Sequence, residues 1–186
     1  MIYFIADTHF NHINILKYCQ RPFANIEEMD ASLIQNWNAT VRQNDEIYIL
    51  GDFCMNKDPV KAHNIVARLN GAKYLIRGNH DLFLNKYEQF ESDFVWIKDY
   101  AEITLEQRKF VLFHYPIAEW NGFYKETIHC YGHVHNHEIA QDTKRQSANG
   151  AIEMTGRAVN VGVDVNNFRP ISIHEVIRMA DKKAKH

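Results

Sequence analysis

Five short segments of this chain carry side chains able to bind metal ions: Asp7-Thr8-His9, Gly51-Asp52, Gly78-Asn79-His80-Asp81, His114 and Gly132-His133-Val134-His135. Each follows an apolar run that reads as a buried strand, at residues 2–6, 47–50, 74–76, 110–113 and 128–131. Carboxylates and imidazoles repeated at strand ends place oxygen and nitrogen donors along one edge of a sheet. A two-metal hydrolytic centre needs such an edge, because two divalent ions about 3.5–4 Å apart must share ligands. A donor set of nitrogen and oxygen without thiolate suits Mn, Fe, Zn, Co or Ni better than Ca or Mg.

The elements that must position these residues follow from periodicity. The first strand leads into a short helix over residues 12–19. A longer helix over 26–41 has apolar residues at Ile26, Met29, Leu33, Ile34 and Trp37, which is helical spacing. A strand at 46–50 follows. Asp58-Pro59 then has the form of an N-cap with proline at the first helical position, opening a helix to about residue 69. Asn70-Gly71 stops it before a strand at 73–77. This βαβαβ order predicts parallel strands with helices packed on them.

The second half reads as short strands at 94–97, 101–105, 109–113 and 128–131, with a hairpin turn at Glu106-Gln107-Arg108. Further strands are expected at 159–165 and 171–173, and a last helix at 174–179. Residues 136–156 are polar with weak periodicity and fit either a β-hairpin or a mobile loop. No linker or internal repeat divides the chain, so residues 1–186 are expected to form a single domain.

A formal net charge of −2 gives no general attraction to nucleic acid, so a phosphate-bearing substrate has to be held by local positive charge. Of eleven histidines, five lie in the segments above and His12 lies beside them. His63, His129, His137, His174 and His186 are expected on surfaces or strand flanks. Cys19, Cys54 and Cys130 make no paired framework, and Cys54 reads as a small buried thiol. With no leader-like segment and no long apolar run, the expectation is a cytoplasmic protein with reduced thiols and no membrane partner.

In sequence and order the five segments resemble the calcineurin-like metallophosphoesterase superfamily from Asp7 to His135. The resemblance is closest to small single-domain bacterial and phage members, through Asp7-Thr8-His9-Phe10-Asn11-His12 and Arg21-Pro22-Phe23. It implies an α/β fold, a sandwich of two mixed β-sheets flanked by helices. It also implies two divalent ions: Asp7, His9 and His135 on the first, Asn79, His114 and His133 on the second, and Asp52 bridging them. Gly51 would let the backbone pass close to the ions. His133 and His135, two apart in an extended strand, would reach one ion each.

The implied reaction is attack on phosphorus by a hydroxide held between the ions. His80 would then protonate the leaving alkoxide, and Asp81 would orient His80 or raise its pKa. The expected substrate is a small phosphodiester or a nucleotide. Phosphomonoester hydrolysis or nuclease action at the same site, and a catalytically silent scaffold that binds a protein, are the alternatives. Asn11 and His12 fit either the pocket mouth or the cap of the next helix. Arg21 fits either a substrate phosphate or a surface salt bridge. Asn11, His12 and Arg21 are therefore the candidate substrate contacts. Tyr115, Trp120 and Phe123 suit either ring stacking or packing. Two departures from the wider family stand out. Phe53-Cys54-Met55-Asn56 replaces an acid–arginine pair of many protein phosphatases, and Asp81 stands where many relatives have Glu.

Overall fold

The computed structural model describes residues 1–136 and 156–184. Most of the polar segment 136–156 lies outside the described residues, as do His137 and His186. The described chain runs β1 (Ile2–Ile5), α1 (Ile13–Tyr18), α2 (Ile26–Thr40), β2 (Glu46–Leu50), α3 (Pro59–Val66), β3 (Ala72–Ile76), β4 (Trp96–Lys98), β5 (Tyr100–Leu105), β6 (Arg108–Phe113), β7 (Ile128–Tyr131), β8 (Ala158–Asn160), β9 (Ile171–Ser172) and α4 (Ile173–Lys183). Short 3-10 turns lie at Leu82–Lys86, Glu88–Asp93 and Val163–Val165.

Two mixed sheets result, a five-stranded one in the order β4-β3-β2-β1-β9 and a four-stranded one in the order β5-β6-β7-β8. The βαβαβ opening gives parallel β1, β2 and β3, as its crossover helices require. Past their first residues these strands are mostly apolar, with their C-terminal halves buried on both faces. Ile5, Ile47, Ile49 and Leu75 pack with Met29, Leu33 and Trp37 of α2. Phe4, Tyr48, Leu50 and Ile76 turn the other way, onto Phe110, Leu112, Ile128 and Cys130 of the second sheet. Side-chain alternation along β1 and β2 therefore joins a helix-facing core to a sheet-facing one.

Local signals account for the helix ends. The Asn25 side chain accepts from the Glu28 N–H at 2.8 Å and opens α2. Asp58 caps α3 through the Val60 N–H at 3.0 Å, with Pro59 first in the helix. Ser172 and Glu175 cap α4 reciprocally. The β5–β6 hairpin pairs Leu105 with Arg108 across Glu106 and Gln107. Their φ values of 46° and 64° are those of a two-residue type I′ turn.

Two expectations are corrected. The strand expected at 159–165 ends at Asn160, because the chain there crosses between the sheets. Val161 donates to Tyr131 O of the second sheet and accepts from Ala6 N of the first, and Val163 N then donates to Ala6 O. The last helix extends to Lys183, its amphipathic side held by Ile173, Val176 and Ala180.

Candidate metal centre

The candidate ligands leave the C-terminal ends of β1, β2, β3, β6 and β7, the edge at which α/β sheets bind ligands. Backbone hydrogen bonds continue past the strands and lash these loops together. Asp7 N donates to Gly51 O, His9 N to Asp52 O, and Gly132 N to His114 O, at 2.9–3.0 Å. Asp7, His9, Asp52, His133 and His135 all have positive φ, between 50° and 73°. Non-glycine residues adopt that conformation at a cost, and it concentrates at functional sites. His133 and His135 thus lie in a turn beyond β7, and not in an extended strand as their spacing suggests.

Two donor groups form. Ligand atoms of Asp7, His9 and His135 lie within 4.8 Å of one another, and so do those of Asp52, His114 and His133. Asp52 Oδ2 sits 3.4 Å from His9 Nε2 in the first group and 3.4 Å from His114 Nε2 in the second. Asn79 joins the second group, its Oδ1 3.0 Å from His114 Nε2.

The donors fit cations on their own chemistry. His9 Nε2 is buried with no hydrogen-bond partner among the described residues. His9 Nδ1 lies 3.1 Å from His12 Nδ1, so a proton shared between those two leaves Nε2 with its lone pair. His114 Nδ1 faces Leu50 O at 2.8 Å, which makes Nδ1–H the donor and points the Nε2 lone pair at two oxygens, Asn79 Oδ1 and Asp52 Oδ2. Acceptors converging in this way need a proton or a metal ion between them. Burial pushes the His114 imidazole down, but the Asp52 carboxylate outweighs it and the net shift is upward. Burial pushes the Asp7 carboxyl up to about 6, in spite of the imidazoles of His135 and His114 and the His133 N–H. A cation facing Asp7 would restore the carboxylate.

Glycine is required where these loops touch. At Gly51, with φ of +85°, a Cβ would stand 2.5 Å from His114 Nδ1 and would displace the imidazole from Leu50 O. At Gly132 it would stand 2.7 Å from Asp7 Oδ2. The freedom at Gly51 therefore serves the approach of His114.

Several expected roles change. Among the described residues no hydrogen bond or ion pair joins the Asp81 carboxylate to the His80 ring. The carboxylate accepts from the backbone N–H groups of Gly78, Asp52, Phe53 and Cys54 at 2.7–3.3 Å, stitching the loop after β2 to the loop after β3. Arg21 is withdrawn from any substrate. Its Nε and Nη2 grip Asp164 at 2.8 Å, Nη2 also reaches Asp7 O, and Nη1 reaches Thr8 O and Met29 Sδ. Five contacts occupy the five N–H donors of the guanidinium. The expected surface salt bridge is a buried one, its side chains 0% and 2% exposed.

His12 makes no cap bond to α1 and packs on His9. Asn11 is exposed, its backbone N–H held by Asp30 and its amide 3.7 Å from Cys54 Sγ. His80 anchors its backbone N–H to Asp52 Oδ1 at 2.8 Å, and its ring centroid is 5.5 Å from that of His9. It belongs to neither donor group. His129, expected on a surface or strand flank, is fully buried, between Val111 O and the Ile117 N–H.

Sequence reasoning missed Asp164. Its Oδ2 lies 2.8 Å from His135 Nδ1, leaving Nε2 as the lone-pair nitrogen of that imidazole. Burial pushes His135 down, but the Asp164 bond raises it to about 10 overall, so Nε2 offers its lone pair once a cation displaces its proton. Asp164 and Cys19 also form a third grouping with His135, but both Asp164 oxygens are already taken by Arg21 and His135. The stretch Asn160-Val161-Gly162-Val163-Asp164 was the available signal. Asn160 itself holds His135 O and the Gly162 N–H, a turn role.

The chain is similar to several known proteins. An uncharacterised protein of Methanocaldococcus jannaschii is 37% identical over 186 residues, covering 97% of this chain and 92% of its own length. The gene 66 protein of Mycobacterium phage L5 is 33% identical over 82 residues, 42% of this chain and 39% of that protein. A crystal structure of a protein of unknown function from Aquifex aeolicus matches with a TM-score of 0.70 and 26% identity, over 96% of this chain and 98% of that one. The model of the calcineurin-like phosphoesterase superfamily domain matches residues 1–165, which include every candidate ligand as well as Asp164. The chain belongs to the calcineurin-like phosphoesterase superfamily.

Proposed function

We propose that this protein is a phosphoesterase that uses two divalent ions, from among Mn, Fe, Zn, Co and Ni, to hydrolyse a small phosphodiester or a nucleotide. One observation carries the reading: Asp52 Oδ2 stands 3.4 Å from an imidazole nitrogen of each donor group, the place of a shared carboxylate. Asp7, His9 and His135 would hold one ion and Asn79, His114 and His133 the other, with Asp52 within reach of both groups. Bound there, the ions supply Lewis acidity to the phosphoryl group and ionise water at neutral pH.

The chain's own residues do the rest. Leu50 O, Asp164 and His12 fix the ring orientations of His114, His135 and His9. His80, beside His9 and outside both groups, gives its proton to the departing alkoxide oxygen. This favours esters that release an alkoxide, as alkyl diesters and cyclic nucleotides do. Asn11 stays a candidate substrate contact, whereas His12 and Arg21 act through the residues they brace. The free thiols of Cys19, Cys54 and Cys130 fit a reducing, cytoplasmic setting. Among the described residues no helix is long and apolar enough to cross a membrane.

The test is to strip the purified protein with a chelator, reload it with each metal, and assay p-nitrophenyl mono- and diesters and cyclic nucleotides. We expect metal-dependent hydrolysis that includes the diesters, and loss of both activity and ions in Asp52→Asn. Hydrolysis indifferent to chelation, or two tightly held ions in Asp52→Asn, would refute it.

A further inference from the structure

Tyr115, Trp120, Phe123 and Tyr124 follow the β6 strand end, and the structure sorts the first three. Trp120 is 6% exposed, donates Nε1–H to Thr127 O at 3.1 Å, and packs edge-on to Phe123 at 4.7 Å. Both belong to the cluster of Val111, Tyr131 and Ala158 on the outer face of the second sheet. Tyr115 does not. It is the residue after His114, is 37% exposed, and its ring stands edge-to-face against His133 at 4.6 Å and His114 at 5.0 Å.

We propose that Tyr115 is a stacking wall for a planar ring on the substrate, so that the ester taken by this site carries a nucleobase. The inference rests on the phosphoesterase reading and narrows its substrate class. His114 and His133 are both candidate ligands, so a ring packed on their imidazoles is fixed beside the phosphoryl position. A sugar joins base to phosphate in a nucleotide, and that spacing lets phosphate sit at the centre while the base covers a neighbouring ring. Tyrosine offers a large rigid face with two side-chain torsions to freeze, so little ordering is left to binding. A base stacked on an aromatic side chain tightens binding by about ten-fold or more, whatever the base.

The test is calorimetric titration of the Mn-loaded protein with AMP and with ribose 5-phosphate, which differ by the base alone. The native protein is expected to bind AMP about ten-fold more tightly, within the range that stacking supplies. Tyr115→Ala should bring the two ligands to near parity with metal content unchanged, and Tyr115→Phe should keep the preference. Tyr124→Ala, which removes a ring that is 83% exposed and packs on Phe123, should also keep it. Equal binding of the two ligands by the native protein overturns the proposal. Equal weakening of both in Tyr115→Ala, with or without loss of metal, also overturns it, since Tyr115 would then merely prop the imidazoles. Failure of the phosphoesterase reading looks different: no ester is turned over while the Tyr115-dependent preference for AMP remains.

Discussion

His135 Nδ1 lies 2.8 Å from Asp164 Oδ2, while Arg21 Nε holds the other oxygen of that carboxylate at 2.8 Å. One buried carboxylate thus orients a candidate metal ligand and neutralises the guanidinium that supports the backbone of Asp7 and Thr8. Asp164→Asn keeps the shape but weakens both interactions. Loss of such a partner costs about 10–100-fold in metal affinity. We expect that loss for the ion held by Asp7, His9 and His135, with the other ion retained, read by competition with a chelator of known affinity. Asp164→Ala should also cost about 3–5 kcal/mol of stability, because Arg21 is left buried and unpaired. Equal loss of both ions in Asp164→Asn would refute the selective role.

Asp81 yields a second prediction. Four backbone N–H groups from two loops depend on its carboxylate. Asp81→Asn replaces one acceptor oxygen with a donor that faces other donors. An unsatisfied buried group costs about 1–3 kcal/mol, so urea unfolding should show a loss of about 2 kcal/mol or more. Turnover should fall by a similar factor for esters with good and with poor leaving groups, because Asp81 makes its hydrogen bonds to backbone amides and none to the His80 ring. A loss confined to poor leaving groups would restore the expected role of Asp81 as the partner of His80.

His129 makes stability depend on pH away from the metal centre. Burial lowers its pKa from 6.5 to about 4, in spite of the backbone contacts at Val111 and Tyr115. The unfolded chain takes up that proton near pH 6.5 and the folded chain only near pH 4. Between those values the unfolded state binds more protons, so falling pH favours unfolding. The contribution is complete above about pH 6.5 and is lost on the way down to pH 4, reaching about 3 kcal/mol at about 1.4 kcal/mol per unit. His129→Gln should show a shallower decline in urea midpoint between pH 7.5 and 4.5. Equal slopes in the two proteins would mean that His129 titrates normally.

The strands and helices of the first half were legible because burial on both faces and helical spacing mark them directly. The seven candidate ligands were legible because residue type and order carry their chemistry. Residues that work through their neighbours were not. Asp81 lies inside a recognised segment, yet its partners are the amides of a loop some thirty positions earlier, which no local pattern encodes. Arg21 and Asp164 are 143 positions apart, so no local pattern pairs them. His129 has the same side chain as the ligands, and only its place in β7 beneath Trp120 makes it a core residue. Positive φ at Asp7, His9, Asp52, His133 and His135 was hidden as well, because Asp and His do not announce that conformation as glycine does.

His80 separates proton donation from ligation. Its backbone N–H is tied to Asp52 Oδ1 at 2.8 Å, but its ring enters neither donor group. His80→Ala removes the ring and keeps the backbone tie, so both ions should stay bound, as metal counting would establish. A positioned general acid contributes about 10²–10⁴-fold. The deficit should approach that size for an ester that releases an alkoxide, and should be small for p-nitrophenolate, which departs without a proton. An equal deficit on both esters with metals retained would make His80 a phosphate-binding residue. Loss of an ion would make it a ligand, and the centre would then need a different division of donors from the one drawn around Asp52.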